Sequence, residues 1–259
     1  MNKNNNDYQK LYDFEWDFTD TQKNVMEEKV RYLLALLPKD IHSILDVGCG
    51  NGFITNKFAE KYDVTGVDIN PKNLFKLKTK TILAYSHEIN LPDASFDLVF
   101  SSEMLEHLPD KDVLNKTAVN FQRITSKYIL ITVPNDENLL SGYVKCGNCG
   151  ATFNSSFHNF SFNKNKLLAL FPEMQLLHFD EIGTKTRTFK HTWLIYIRNN
   201  WANKWAIPTE RVRCPECQNN TNFIRKRNII GMICESINII INRPRRKWIV
   251  MLLQKKQVK

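Results

Sequence analysis

The sequence predicts an α/β fold, a mostly parallel sheet with helices on both faces, and three observations carry that prediction. Short apolar, mostly β-branched runs alternate with helical patterns through the first half. Those runs are short and mostly rich in β-branched residues, as buried parallel strands are. The first of them passes almost at once into closely spaced glycines that lead into a helical pattern. Strand, helix, strand repeated in this way requires crossover connections and a parallel sheet.

Taken in order, Tyr12 to Phe18 is an aromatic segment suited to fold over the domain, so residues 1–24 are expected to form a lid. An amphipathic helix follows from Thr21 to Leu37 and stops at Pro38. Strands are expected at SILDV (43–47), VTGVD (64–68), TILAY (81–85), FDLVFS (96–101) and YILITV (128–133). Helices are expected after Gly52, from Pro71, which suits a first helical turn, and over Lys111 to Arg123. Beyond Val133 lies a stretch rich in Asn, Ser and Gly, then a short helix in FNKNKLLALF. MQLLHFDEI (174–182) and TWLIYIR (192–198) read as two strands; with nine residues between them they predict an antiparallel hairpin at the sheet edge.

The chain has 259 residues, long enough for one large α/β domain with an appendage. The N-terminal segment MNKNNNDYQKLYDFEW carries no apolar core of a secretory signal, which predicts a cytoplasmic protein. Six cysteines in a reducing compartment point to metal or redox chemistry rather than structural disulfides. The net charge of +9 resides in the last segment, because residues 222–259 hold ten Lys or Arg against the single acid Glu235. Such a tail seeks phosphate, on lipid or on nucleic acid.

The segment ILDVGCGNGF (44–53) places three glycines at alternate positions between a strand and a helix, so a ligand can approach bare backbone at a helix N-terminus. Its GxGxG spacing departs from the dinucleotide pattern GxGxxG, which argues against a nicotinamide or flavin enzyme. Asp68, closing the second strand, is placed to accept the two hydroxyls of a ribose.

ILDVGCGNG, VDIN (67–70), LPDASFDLVFSSEMLEHLPD (91–110) and ILITVPN (129–135) together resemble the class I methyltransferases that use S-adenosylmethionine, in particular the branch containing ubiquinone-biosynthesis O-methyltransferases. The resemblance covers about residues 25–200 and implies a Rossmann-like, seven-stranded, mostly parallel sheet. It implies that Asp46, Gly48, Cys49, Gly50, Asn51 and Gly52 surround the methionine part of the cofactor, with Cys49 lending only its backbone. Asp68 and Ile69 would hold the ribose, and the backbone of Ser101 and Ser102 would lie beside the sulfonium. The family's adenine-binding Asp is missing from YSHEINLP; Glu88 is the nearest carboxylate and takes its place. Methylation of an oxygen also needs a base, and His107, in the LEH context past the fourth strand, is the catalytic residue the resemblance selects, with His158 a second candidate.

The pairs KCGNCG (145–150) and RCPECQ (213–218) supply Cys146, Cys149, Cys214 and Cys217, a four-cysteine set of the zinc-ribbon type. All four positions filled by thiolate means a structural ion, one that ties the acceptor-side cover to the C-terminal extension. Ile229 to Asn242 reads as a strongly amphipathic helix, and RPRRK then leads into WIVMLL, an apolar run with cations on both sides. Neither run reaches the length of a bilayer span, which predicts a tail lying in an anionic membrane interface. Packing of the isoleucine face on the protein body or on a dimer partner, and RNA binding, are the other two readings. The expected organisation is therefore a lid (1–24), a methyltransferase domain (25–200) with the first zinc knuckle inserted at 143–153, a second knuckle (201–221) and a basic tail (222–259). The function expected is O-methylation of a small-molecule, lipid-linked or sugar acceptor; the alternatives are an RNA methyltransferase gripping RNA through the ribbon, and a non-catalytic, zinc-stapled binding module.

Overall fold

The computed structural model describes residues 19–209 and 212–256. Of the lid expected at residues 1–24, residues 1–18, which include the aromatic segment, lie outside the described residues; Thr19 caps the first helix and residues 20–24 open it. Contacts divide the chain into two compact units: one runs to Pro134 and resumes over Phe162–Thr184 and from Lys247, and the other comprises Asn135–Ser161 and Lys185–Arg246.

The first unit is built on the sheet. Its first helix, α1 (Asp20–Leu36), opens with a capping box in which the Thr19 hydroxyl accepts from Gln22 N–H and the Gln22 side chain accepts from Thr19 N–H. Strands β1 (Ser43–Val47), β2 (Asp63–Asp68), β3 (Lys80–Leu83), β4 (Phe96–Ser102) and β5 (Thr125–Pro134) fall where the apolar runs predict them and pair in parallel. Between them come α2 (Phe53–Phe58), α3 (Pro71–Leu74) and α4 (Lys111–Ile124). Asn70 caps α3 by accepting from Lys72 N–H, and Pro71 occupies the first turn as expected. One face of the sheet packs Ile44, Leu98, Phe100 and Leu130 against Leu33, Phe58 and their neighbours, with the Phe58 and Phe100 rings edge to face at 5.0 Å.

The far side of the sheet corrects the sequence reading. The short helix in FNKNKLLALF forms α5 (Lys164–Ala169), and the strand after it, β8 (Met174–Thr186), is longer than expected; β6 and β7 belong to the second unit. TWLIYIR is not a strand but helix α6 (Thr192–Tyr196) running into a π-helical turn at Ile197–Trp201. The seventh strand is instead β9 (Arg245–Lys255), which contains WIVMLL. It inserts between β5 and β8 to give the order β3-β2-β1-β4-β5-β9-β8, and it pairs with β5 in antiparallel register from Tyr128↔Gln254 to Pro134↔Trp248. Trp248 to Leu253 are therefore core rather than a membrane-lying run, and Trp248 is 3% exposed. Within the stretch expected as a tail, Arg245–Lys255 completes the sheet.

The second unit contains the hairpin β6 (Tyr143–Lys145) and β7 (Thr152–Asn154), α6 with its π-turn, and helix α7 (Ile229–Ile241). Its interior is polar for its size. Arg198, Asn199, Lys204, Asn238 and Asn242 are all buried, and Lys204 pairs with Glu235 at 2.6 Å. Among the described residues no helix is long and apolar enough to cross a membrane.

Candidate functional site

In the first unit the predicted cofactor residues converge at the C-terminal ends of β1, β2 and β4. Gly48, Gly50 and Gly52 all have positive φ (78°, 52° and 77°), so the turn needs glycine at each. Gly48 and Cys49 donate N–H bonds to the Val67 carbonyl, stitching the turn to β2, and Gly52 N–H returns to Cys49 O. The reasons for glycine differ along the loop. A Cβ at Gly48 would stand 2.5 Å from Met104 Cγ, whereas a Cβ at Gly50 would meet nothing within 4 Å. Gly50 is thus bare backbone facing open space, as an approaching ligand requires.

Asp68 sits beside that space. Its carboxylate accepts from Gly50 N–H at 2.9 Å, from Asn70 N–H at 2.8 Å and from Asn73 Nδ2 at 3.3 Å. Burial raises its pKa, against the N–H donors of Asn70 and Gly50, which favour the charged form. Ile69 next to it is half-buried.

Asp46 is 2% exposed and lies under the loop, where it accepts from the Thr55 hydroxyl at 2.7 Å. Burial pushes its carboxyl up to about 7, against the Thr55 hydrogen bond and with help from the Asp68 charge. It ties β1 to the start of α2. Asn51 also serves that junction, its side chain accepting from Phe53 N–H at 3.2 Å. The Cys49 thiol is buried, and burial first and the Asp46 and Asp68 charges next raise its pKa, so it stays an inert packing group.

Ser101 and Ser102 have their side chains engaged within the sheet: Ser101 Oγ donates to Val47 O at 2.9 Å, and Ser102 Oγ shares a hydrogen with Thr132 Oγ1 at 2.8 Å. His107 is half-buried and ends the 3₁₀ turn Leu105–His107 just past β4. Glu88 is exposed, 3.4 Å from His87 on the turn after β3. The geometry adds Thr55, Asn73 and Met104, which the motifs did not single out. Glu103 proves to be a hub: it holds a φ of 54° and accepts from Lys29, Thr132 and Trp248 Nε1.

The four cysteines of the second unit come together. Their sulfurs all lie within 4.8 Å of one another, with Cys146–Cys217 and Cys149–Cys214 both at 3.6 Å. Tetrahedral thiolates about 2.3 Å from a zinc ion stand about 3.8 Å apart, while a disulfide requires about 2.05 Å. The set therefore fits zinc. Each knuckle is built alike: Gly150 (φ 77°) donates its N–H to Cys146 O, and Gln218 (φ 59°) does the same to Cys214 O. Burial works to raise the Cys146 thiol, but N–H groups of Cys149 and Asn148 outweigh it and bring it down to about 6.

The knuckles are held side by side by Gly147 N–H to Asn222 O, Ile224 N–H to Lys145 O, and Asn219, whose Nδ2 reaches both Asn222 O and Cys146 Sγ. Asn219 and Asn222 carried no signal in the sequence beyond lying near a CxxC pair. His158, in this unit, bonds Glu137 Oε1 at 2.7 Å.

Residues 45–126 match the model of the methyltransferase domain family. The chain is 35% identical over 81 residues to a 27-O-demethylrifamycin SV methyltransferase of Amycolatopsis mediterranei, covering 26% of this chain and 30% of that protein. It is 33% identical over 94 residues to a ubiquinone biosynthesis O-methyltransferase of Paracidovorax citrulli, covering 32% and 40%. The alignments thus span less than half the length of either relative. Among solved structures, N-methyltransferase NodS from Bradyrhizobium japonicum, in complex with S-adenosylhomocysteine, superposes with a TM-score of 0.54 at 10% identity, over 97% of this chain and 98% of that one. The chain therefore carries a methyltransferase-domain sequence within the fold of the class I S-adenosylmethionine-dependent methyltransferases.

Proposed function

We propose that the protein is an S-adenosylmethionine-dependent methyltransferase that methylates an oxygen of a small-molecule, lipid-linked or sugar acceptor at an anionic membrane surface. The observation that carries this reading is the loop at Gly50, open above its backbone and braced from below by the Asp68 carboxylate. S-adenosylmethionine would supply a methyl group already activated on a sulfonium. The protein's part is placement. Gly50 leaves backbone free to lie against the methionine part, and Asp68, an acceptor-only group at the tip of β2, suits paired ribose hydroxyls. Glu88, though exposed, is the carboxylate available on the adenine side. His107, ending the turn just past β4, is the residue that would take the acceptor's proton.

The O-methyl assignment is supported by the two relatives, whose names state O-methylation. A structural zinc ion on Cys146, Cys149, Cys214 and Cys217 is supported by the sulfur spacing. Exposed cations at Lys226, Arg227 and Arg243 support the membrane surface.

The test is transfer of radiolabelled methyl from S-adenosylmethionine into a lysate of cells lacking the protein, with lipid-glycan, RNA and protein fractions counted separately. Label in the lipid-glycan fraction, lost with Asp68→Ala, is the expected result. Label confined to RNA would move the assignment to an RNA methyltransferase, and no label in any fraction would leave a binding module.

A further inference from the structure

Helix α7 is amphipathic in the inverted sense. The residues it buries are Gly231, Cys234 and Asn238, and Lys204 and Glu235 pair beside them, so its small and polar side faces the interior of the second unit. Its outward line at i, i+4, i+7 and i+11 is Ile229, Ile233, Ser236 and Ile240, flanked by Ile230, Met232, Ile239 and Ile241. Ile229 is 72% exposed, Ile233 51% and Ile240 82%. Scattered apolar residues on a surface need no explanation, but a contiguous isoleucine face along a whole helix does.

Charge selects the occupant. Exposed Lys226 and Arg227 stand before the helix and exposed Arg243 after it, while the only acid on the helix, Glu235, is turned to Lys204. Pairing two copies of α7 would set cation against cation, in parallel or antiparallel arrangement alike. An anionic bilayer meets both requirements: acyl chains accept the isoleucines, and headgroups accept the cations at both ends of a helix about 20 Å long lying in the plane. The neighbouring α6 and its π-turn expose Trp193, Tyr196 and Trp201, residue types that favour the interface.

We infer that the isoleucine face of α7 is a membrane-docking surface for anionic lipid. This rests on the reading above that the protein works at such a surface, and it relocates the contact: WIVMLL, part of strand β9, takes no part in it.

Because residues 245–255 complete the sheet, the test uses the full zinc-loaded chain with point substitutions. The probe is flotation with vesicles of phosphatidylcholine containing about one third phosphatidylglycerol, against phosphatidylcholine alone. The wild type should float with the anionic vesicles and be released by salt. Ile233→Gln/Ile240→Gln should weaken partitioning at least about tenfold, with circular dichroism and zinc content unchanged. Lys226→Gln/Arg227→Gln/Arg243→Gln should remove the preference for anionic lipid. Flotation undiminished by the isoleucine substitutions would overturn the face while sparing the membrane reading. Failure of the wild type to float would overturn both. A wild type that sizes as a dimer, with the isoleucine variant a monomer, would assign the face to a second copy and overturn the proposal.

Discussion

Alanine at Gly48 and alanine at Gly50 separate folding from cofactor binding at the same loop. Both positions hold a left-handed φ, so a Cβ costs about 1–2 kcal/mol in backbone conformation at either. At Gly48 the new methyl also collides with Met104 Cγ at 2.5 Å and Cβ at 2.7 Å, and overpacking of that kind adds about 1–3 kcal/mol. At Gly50 the methyl enters open space, so the stability cost ends with the backbone. Urea unfolding should therefore rank the wild type first, Gly50→Ala next and Gly48→Ala last, with the last losing about 2–5 kcal/mol. Affinity for S-adenosylhomocysteine, measured by calorimetry on folded protein, should single out Gly50→Ala. There the methyl occupies the space assigned to the ligand, and a loss of about 2 kcal/mol corresponds to about thirtyfold in dissociation constant. Wild-type affinity in Gly50→Ala would refute the placement of the cofactor over this loop. Equal unfolding midpoints for the two variants would refute the role given to Met104.

Elemental analysis should find about one zinc per chain. Chelation should then speed amide exchange in residues 143–154 and 212–224 while the Gly50 loop still binds S-adenosylhomocysteine; absence of zinc with an unchanged melting midpoint would remove the ribbon. Asp46, raised to about 7 in the folded protein from an ordinary 3.8, keeps a proton that the unfolded chain has lost. Its contribution is fully present below about pH 4 and is lost as pH rises through about 7, at most about 4 kcal/mol. Asp46→Asn should flatten the decline in stability between about pH 4 and about pH 7, and an unaltered slope would show that another group titrates.

The inner parallel strands were legible because burial leaves short, predominantly apolar runs, β3 at the sheet edge being mostly exposed, and Ser43–Val47 came out with its boundaries intact. TWLIYIR was misread for a physical reason. Its helical period shows only when Arg198 and Asn199 count as buried alongside Leu194 and Ile195, and nothing local to the sequence says that a guanidinium will be covered. WIVMLL has the same composition whether it lies in an interface or in a sheet; the open edge of β5, distant in sequence, decides the matter. At the site, the glycines, Asp68 and the cysteines were visible because chemistry demands those residue types at those spacings. Thr55, Met104 and Asn219 were not, because their roles follow from which atoms the fold brings near.

The strand order also sets a timetable. β9 neighbours β5 in space, yet more than a hundred residues separate the end of one from the start of the other, and both segments of the second unit lie between them. A ribosome therefore completes the cysteine module before it releases the strand that closes the sheet. Until then β5 presents an unpaired backbone edge with a mostly apolar stretch from Tyr128 to Val133, the kind of surface that recruits stray strands. Disrupting the cysteine module during synthesis, or deleting residues 245–255, should thus show itself first as aggregation of the nascent sheet, well before any activity can be assayed.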